Sequence, residues 1–154
     1  MTVPRLSFDI DDPTAEDVGP LIEQLGGYLT RLYPSGTIEP ATVDELRQDN
    51  VTFVTARVDG EPVACGACVD AGPYVEIKHM YVLPACRGLG LGKQLLDALE
   101  HQVRTQGGRL VRLETGTAQT EALELYEHAG YRRCAPFGDH RAHAMSVCME
   151  KPLQ

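Results

Sequence analysis

The chain has 154 residues, of which 43% are hydrophobic and 23% charged, values ordinary for a folded globular protein. We predict one domain over residues 1–154, since a chain of this size buries a core without disulfides or metals. The net charge of -8 argues against a surface that neutralises nucleic-acid phosphates or anionic lipid, so neither nucleic acid nor a membrane is an expected partner. No apolar run approaches the length of a signal-peptide core or a membrane span, which predicts a cytoplasmic protein.

The first third of the chain predicts a strand and two helices. A short strand is predicted over residues 7–10. A helix is predicted from Thr14, the expected N-cap, toward Tyr33, because apolar residues recur at helical spacing. The pairs Gly19-Pro20 and Gly26-Gly27 predict a bend or break in that helix. A second short helix is predicted over residues 40–48.

Strands dominate the middle of the chain. Residues 51–58 and 62–69 are joined by Asp59-Gly60, the preferred two-residue hairpin turn, so they are predicted to pair antiparallel. A strand over 74–83, a helix over 91–103, a strand over 110–114, a helix over 119–128 and strands around 131 and 142–149 follow. The order β-α-α-β-β-β-α-β-α-β-β predicts an α/β fold with one mixed, mostly antiparallel sheet and helices on its faces.

Two of the five cysteines, Cys65 and Cys68, form a C-x-x-C pair inside a predicted strand. Strand positions three apart point to opposite faces, and no second pair of ligands with zinc-site spacing follows. We therefore predict that both thiols pack in the core and that the protein holds no metal.

A glycine-rich stretch with the sequence V-L-P-A-C-R-G-L-G-L-G-K occupies residues 82–93. Glycines let backbone N–H groups approach a ligand closely, and the following helix aims its free N–H groups and positive dipole end at an anion. The stretch therefore predicts a pyrophosphate cradle. Neither register of the glycines matches the dinucleotide pattern G-x-G-x-x-G. Arg87 and Gln94 stand where the nucleoside-triphosphate loop needs glycine and a hydroxyl residue.

The remaining pattern, R-x-x-G-x-G after a V-x-P turn, resembles the acetyl-coenzyme A loop of the GCN5-related N-acetyltransferase (GNAT) superfamily. The predicted element order is also that of the GNAT fold, residues 76–82 (E-I-K-H-M-Y-V) resemble its fourth strand, and residues 122–131 resemble its late helix and turn. The resemblance implies an N-acetyltransferase with the acyl-CoA N-acyltransferase fold and acetyl-CoA as cosubstrate. It implies no acetyl-enzyme, so Cys86 beside the loop is not expected to act as a nucleophile.

By this resemblance the coenzyme lies along one strand and the loop. The strand residues Met80, Tyr81 and Val82 would pair with the pantetheine arm, and the Met80 N–H would stabilise the oxyanion. Gln119 stands where the family often has asparagine and is an expected coenzyme contact. The pyrophosphate would be held by Arg87, Gly88, Leu89, Gly90, Leu91, Gly92 and Lys93.

Two residues are implied as catalytic. Tyr126 occupies the motif position of a tyrosine that protonates the departing thiolate, although a tyrosine packed on the sheet with its hydroxyl toward water is the alternative. Glu76 matches a strand carboxylate that deprotonates the acceptor through water. It could instead form a salt bridge with Lys78 on the same face. His79 is a second candidate base, which strand alternation turns to the other face.

In the family the acceptor pocket is shaped by the first two helices and their connection, which implies Tyr28, Leu32, Tyr33 and Pro34 here. His140 and His143 are further candidates to line it. The implied reaction is direct transfer, within a ternary complex, of an acetyl group to the primary amine of a small molecule or an amino acid. Acetylation of a protein N-terminus or lysine, and acyl-CoA sensing without catalysis, are the alternatives. The resemblance also implies a homodimer formed through the late strands.

Overall fold

The computed structural model describes residues 3–33 and 40–154. The predicted order of elements is confirmed, with a short 3-10 turn at Pro84–Cys86 added before the third helix. The elements are β1 (Leu6–Ile10), α1 (Gly19–Leu32), α2 (Val43–Leu46), β2 (Val51–Val58), β3 (Glu61–Asp70), β4 (Val75–Val82), α3 (Leu91–Thr105), β5 (Leu110–Gly116), α4 (Thr120–His128), β6 (Arg132–Arg133) and β7 (Ser146–Pro152).

The strands form one mixed sheet in the order β1-β2-β3-β4-β5-β7-β6. The predicted hairpin turn is confirmed, since Asp59 and Gly60 have φ angles of 52° and 85° and connect the antiparallel strands β2 and β3. The parallel pair is β4 with β5, and its register covers only Val75 opposite Val111 and Glu76 opposite Arg112. Beyond Glu76 the two strands are no longer paired, so the sheet opens into a cleft.

A β-bulge lies in β4 where it borders this cleft. The β3–β4 register shifts between Cys65 and Ala67, so that Gly66 lies opposite both His79 and Met80. His79 has a φ of 59°, which is uncommon for a residue other than glycine. The extra residue of a bulge is left out of the strand ladder and redirects the side chains that follow. Strand alternation therefore fails at this point.

Helix α1 begins at Gly19, so the prediction of an N-cap at Thr14 is wrong. The Thr14 hydroxyl instead donates to Asp12 at 2.7 Å. Pro20 falls in the first turn, where its missing N–H costs no hydrogen bond. The predicted break at Gly26-Gly27 is also wrong, because the buried stripe of Leu21, Ile22, Leu25 and Leu29 outweighs a cost of about 1 kcal/mol per glycine.

The core has two layers, one on each face of the sheet. Cys65 packs in the layer that contains α1, and Cys68 packs in the layer that contains α3, as the opposite-face argument predicts. Burial raises the pKa of both thiols to about 12. Both cysteines are therefore buried packing residues whose thiols stay protonated at neutral pH.

Glu100 of α3 is a buried carboxylate, and its charge is balanced within the layer of the core that contains α3. It accepts a hydrogen bond from the Tyr131 hydroxyl at 2.8 Å and lies 3.0 Å from Lys151 Nζ. We expect Tyr131→Phe to lower the free energy of unfolding by about 2 kcal/mol, because a hydrogen bond to a charged group is lost in a buried site. Urea denaturation of the two proteins measures this difference, and an unchanged midpoint would contradict it.

Candidate active site

The glycine-rich loop forms the wall of a cavity of about 290 Å³ at the start of α3. Gly88 and Gly90 have φ angles of 83° and 77°, in the left-handed region that side chains disfavour. Gly90 is the N-cap, so the helix begins at Leu91 with the N–H groups of its first turn free of helical partners. The loop therefore presents backbone donors and a positive helix end to this cavity, which is called the donor cavity below.

Arg87 is held against the end of β4 and two aromatic rings. Its Nε donates to the Val82 carbonyl at 2.9 Å, and its guanidinium carbon lies 5.3 Å from the Tyr28 ring centre and 5.4 Å from that of Tyr81. Tyr28, predicted for the acceptor pocket, lies in the donor cavity instead. Lys93 also lines this cavity, and its Nζ lies 3.2 Å from Asp97 one turn along the helix.

A second cavity of about 360 Å³ lies on the other side of the cleft. Its walls come from α1, β4, β5 and the loop of residues 139–143, and it is called the acceptor cavity below. Met80, Gln119 and Tyr126 line both cavities. The two cavities therefore meet at these three side chains.

Tyr126 lies at this junction and is 7% exposed. Its hydroxyl is 3.6 Å from the Met80 sulfur. Burial raises the pKa of Tyr126 well above its usual 10, so the phenol is protonated at neutral pH. The side chain can therefore donate a proton or a hydrogen bond at the point where the cavities join.

In the acceptor cavity Glu76 pairs with His140. The His140 Nε2 is 2.7 Å from Glu76, its Nδ1 is 3.3 Å from Glu114, and Ser146 donates to Glu114 at 2.7 Å. The two carboxylates raise the pKa of His140 to about 9, and the hydrogen bond to Glu114, followed by that to Glu76, is the largest cause. Burial opposes ionisation of Glu114, but hydrogen bonds from His140 and Ser146 lower its pKa overall. One imidazolium is thus shared by two carboxylates.

The predicted alternative of a Glu76–Lys78 salt bridge is wrong. Lys78 Nζ pairs with Glu45 of α2 at 3.1 Å. His79 Nε2 lies 3.0 Å from the same carboxylate, and this contact, followed by the charge of Lys78, lowers the pKa of Glu45 to about 2. The prediction that alternation turns His79 away from Glu76 is also wrong, because the bulge places His79 in the acceptor cavity.

The shared imidazolium predicts a pH-dependent contribution to stability. Because the pKa of His140 is raised from its usual 6.5 to about 9, the contribution is fully present below about pH 6.5 and is lost as pH rises through about 9. We expect the wild type to lose about 2 kcal/mol across this window relative to His140→Gln, since partial exposure reduces the full effect. Urea denaturation at pH 6, 7.5 and 9.5 measures it, with His101→Gln on the exposed side of α3 as control. Parallel pH curves for wild type and His140→Gln would contradict this expectation.

Only some of the residues that the sequence predicts for acceptor binding line the acceptor cavity. In the described part of the chain, α1 contributes Leu25 and Leu29 to the acceptor cavity rather than Leu32 or Tyr33. Pro34 lies outside the described residues. His140 and His143 do line the cavity.

No role is predicted from the sequence for Glu45, Glu114 or Ser146. Glu114 could have been predicted as a site residue from the alternation of β5, because a carboxylate between buried neighbours in a strand requires a partner.

Comparison with known proteins identifies the family to which this chain belongs. The family model described as Acetyltransferase (GNAT) family matches residues 22–131. The chain belongs to the GNAT family. It is therefore an N-acetyltransferase, and its mixed sheet is the GNAT fold. An IAA acetyltransferase of Azospirillum brasilense is 35% identical over 153 residues, which cover 98% of this chain and 100% of the relative.

Solved GNAT structures share the whole fold. A proposed acyl-CoA N-acyltransferase of Klebsiella pneumoniae subsp. pneumoniae is 33% identical with a TM-score of 0.81, over 97% of this chain and 98% of the other. YncA of Salmonella typhimurium, a proposed acetyltransferase solved with its cofactor acetyl-CoA, has a TM-score of 0.72 at 18% identity, over 97% and 94% of the two chains. At that identity the second likeness shows the fold alone.

In residues 3–33 and 40–154 no group of three or more histidine, cysteine, aspartate or glutamate side chains is arranged to hold a metal ion. None of the helices in the same ranges combines the length and the apolar character that crossing a membrane requires.

Proposed function

We propose that this GNAT acetyltransferase transfers an acetyl group directly from acetyl-CoA to the primary amine of a small molecule or an amino acid. The observation that carries the proposal is the meeting of the donor and acceptor cavities at Met80, Gln119 and Tyr126. Two substrates bound in these cavities would bring a thioester and an amine together in one ternary complex. Proximity of this kind removes much of the entropic barrier to a bimolecular reaction.

The donor cavity fits coenzyme A in two ways. The N–H groups around Gly88, Gly90 and the first turn of α3 suit a pyrophosphate. Beyond Glu76, β4 is not paired with β5, so the amides of a pantetheine arm can pair with residues 80–82 like an added strand, replacing the Arg87 side chain on the Val82 carbonyl. Met80, Tyr81, Val82, residues 87–93 and Gln119 would then hold the coenzyme.

The cluster of Glu76, Glu114 and His140 in the acceptor cavity suits an ammonium ion. Its two carboxylates share the single positive charge of His140, which leaves the cluster one net negative charge. Of the other charged side chains that line the cavity, Lys78 is paired with Glu45, and Asp139 and Arg141 have opposite charges. A local negative charge attracts a ligand of the opposite sign. Glu76 would take a proton from the bound ammonium through water, which makes the nitrogen nucleophilic.

The transfer would then proceed at the junction of the cavities. The amine nitrogen attacks the thioester carbonyl, a C–N bond forms and the C–S bond breaks. Backbone groups freed at the bulge, the Met80 N–H among them, would stabilise the negative charge that develops on oxygen. Tyr126 gives its proton to the departing thiolate and regains one from the nitrogen, so the acetylated amine and free coenzyme A leave as neutral groups at these atoms.

The size of the acceptor cavity, about 360 Å³, suits a small acceptor better than a protein chain. Its lining includes Leu25 and Leu29 of α1 and His140 and His143 of the loop of residues 139–143. A protein N-terminus or lysine would need an open groove for the flanking residues.

The experiment that tests the proposed function measures release of free thiol from acetyl-CoA with a panel of amines, amino acids and short peptides. Calorimetric titration with coenzyme A is run in parallel. We expect coenzyme binding and turnover with one class of small amine. Turnover confined to peptides would support protein modification instead, and binding without turnover would support a sensor. Absence of coenzyme A binding would overturn the proposal.

A further inference from the structure

Tyr33, at the end of α1, reaches across the cleft to the turn between β5 and α4. Its hydroxyl donates a hydrogen bond to Gln119 Oε1 at 3.1 Å, although the two residues are 86 positions apart in the chain. The side chain is 3% exposed, so water does not compete strongly for this contact. Burial raises the pKa of Tyr33, which keeps the hydroxyl protonated as the donor.

The turn is built to admit this hydroxyl. A Cβ atom at Gly116 would overlap the hydroxyl oxygen and the ring of Tyr33, so the ring can lie there only because residue 116 is glycine. The turn is closed by a hydrogen bond from the Gln119 N–H to the Gly116 carbonyl at 3.0 Å. Backbone and side chain of Gln119 are thus both held where the two cavities meet.

We propose that Tyr33 is a positioning residue for the donor substrate and acts through Gln119. This inference rests on the proposed coenzyme contact of Gln119. A glutamine amide has an acceptor oxygen and a donor NH₂ group, and its long side chain adopts many rotamers when free. The Tyr33 hydroxyl occupies the oxygen, which directs the NH₂ group toward the junction, where it can donate to an amide carbonyl of the pantetheine arm.

We expect Tyr33→Phe to weaken coenzyme A binding by about five-fold, because one hydrogen bond is lost. The KM for acetyl-CoA rises by a similar factor. The variant keeps the aromatic ring, and its melting temperature reports whether the fold is intact.

A double-mutant cycle separates positioning from a merely structural effect. Calorimetric titration with coenzyme A is performed on wild type, Tyr33→Phe, Gln119→Ala and the double variant. We expect the double variant to bind as weakly as Gln119→Ala alone, because Tyr33 has nothing left to position.

Two results would overturn the inference while leaving the proposed function intact. The first is that Tyr33→Phe binds coenzyme A with wild-type affinity. The second is that Tyr33→Phe weakens coenzyme A binding by the same factor in the wild-type and Gln119→Ala backgrounds. Failure of the wild type to bind coenzyme A would overturn the proposed function together with this inference.

Discussion

Tyr126→Phe is expected to lower kcat by about 100-fold or more while coenzyme A affinity changes by less than about two-fold. The substitution removes only the hydroxyl, which is the buried and protonated group at the junction of the two cavities. The departing thiolate would then leave without a proton donor. Steady-state release of free thiol gives kcat, and calorimetric titration gives the affinity.

Tyr131→Phe is the matched control for this prediction. The Tyr131 ring packs edge-on to that of Tyr126 with centres 5.8 Å apart, but its hydroxyl points to Glu100. We expect this variant to be less stable and to retain kcat below its unfolding temperature. Equal losses of kcat in both variants would show that packing, rather than proton donation, explains the effect at Tyr126.

Glu76→Gln is expected to lower kcat/KM for the amine by about 100-fold at neutral pH, because the acceptor loses the base that removes its proton. The loss should shrink as pH rises toward the pKa of the amine, since solution then supplies neutral amine directly. Affinity for coenzyme A should be unchanged, because Glu76 lines only the acceptor cavity of the two. Initial rates measured from pH 7 to pH 10 test both expectations.

Glu45→Gln tests the alternative that His79, rather than Glu76, is the base. Glu45 contacts His79 at 3.0 Å and lies outside both cavities as far as the described residues define them. If His79 were the base, Glu45→Gln and His79→Gln would cost more activity than Glu76→Gln. That order of effects would reject Glu76 and transfer the role to His79.

Local features of the chain could be predicted because their cause is local. The Asp59-Gly60 turn depends on two backbone conformations, and the start of α3 depends on the glycines directly before it. The alternation of β3 sufficed to place Cys65 and Cys68 on opposite faces. Thr14 failed as an N-cap because Asp12 captured its hydroxyl, a competition between neighbours that helical spacing does not record.

The partners of the site residues could not be predicted in the same way. A single bulged residue opposite Gly66 moved His79 into the acceptor cavity, and no period-two pattern marks where a bulge falls. Glu76 paired with His140, 64 positions later, rather than with Lys78 two residues away. Such choices depend on which loop and helix the fold packs over each strand.

The sequence alone determines the order of the elements, the glycine-rich loop before α3 and the resemblance to acetyltransferases, because each depends on local spacing and backbone freedom. Only the tertiary structure shows which residues are partners. The imidazolium of His140 is shared by two carboxylates, and Tyr33 bonds to Gln119 instead of lining the acceptor cavity. The physical reason is that hydrogen bonds between distant residues form only where the folded chain removes their alternatives in water.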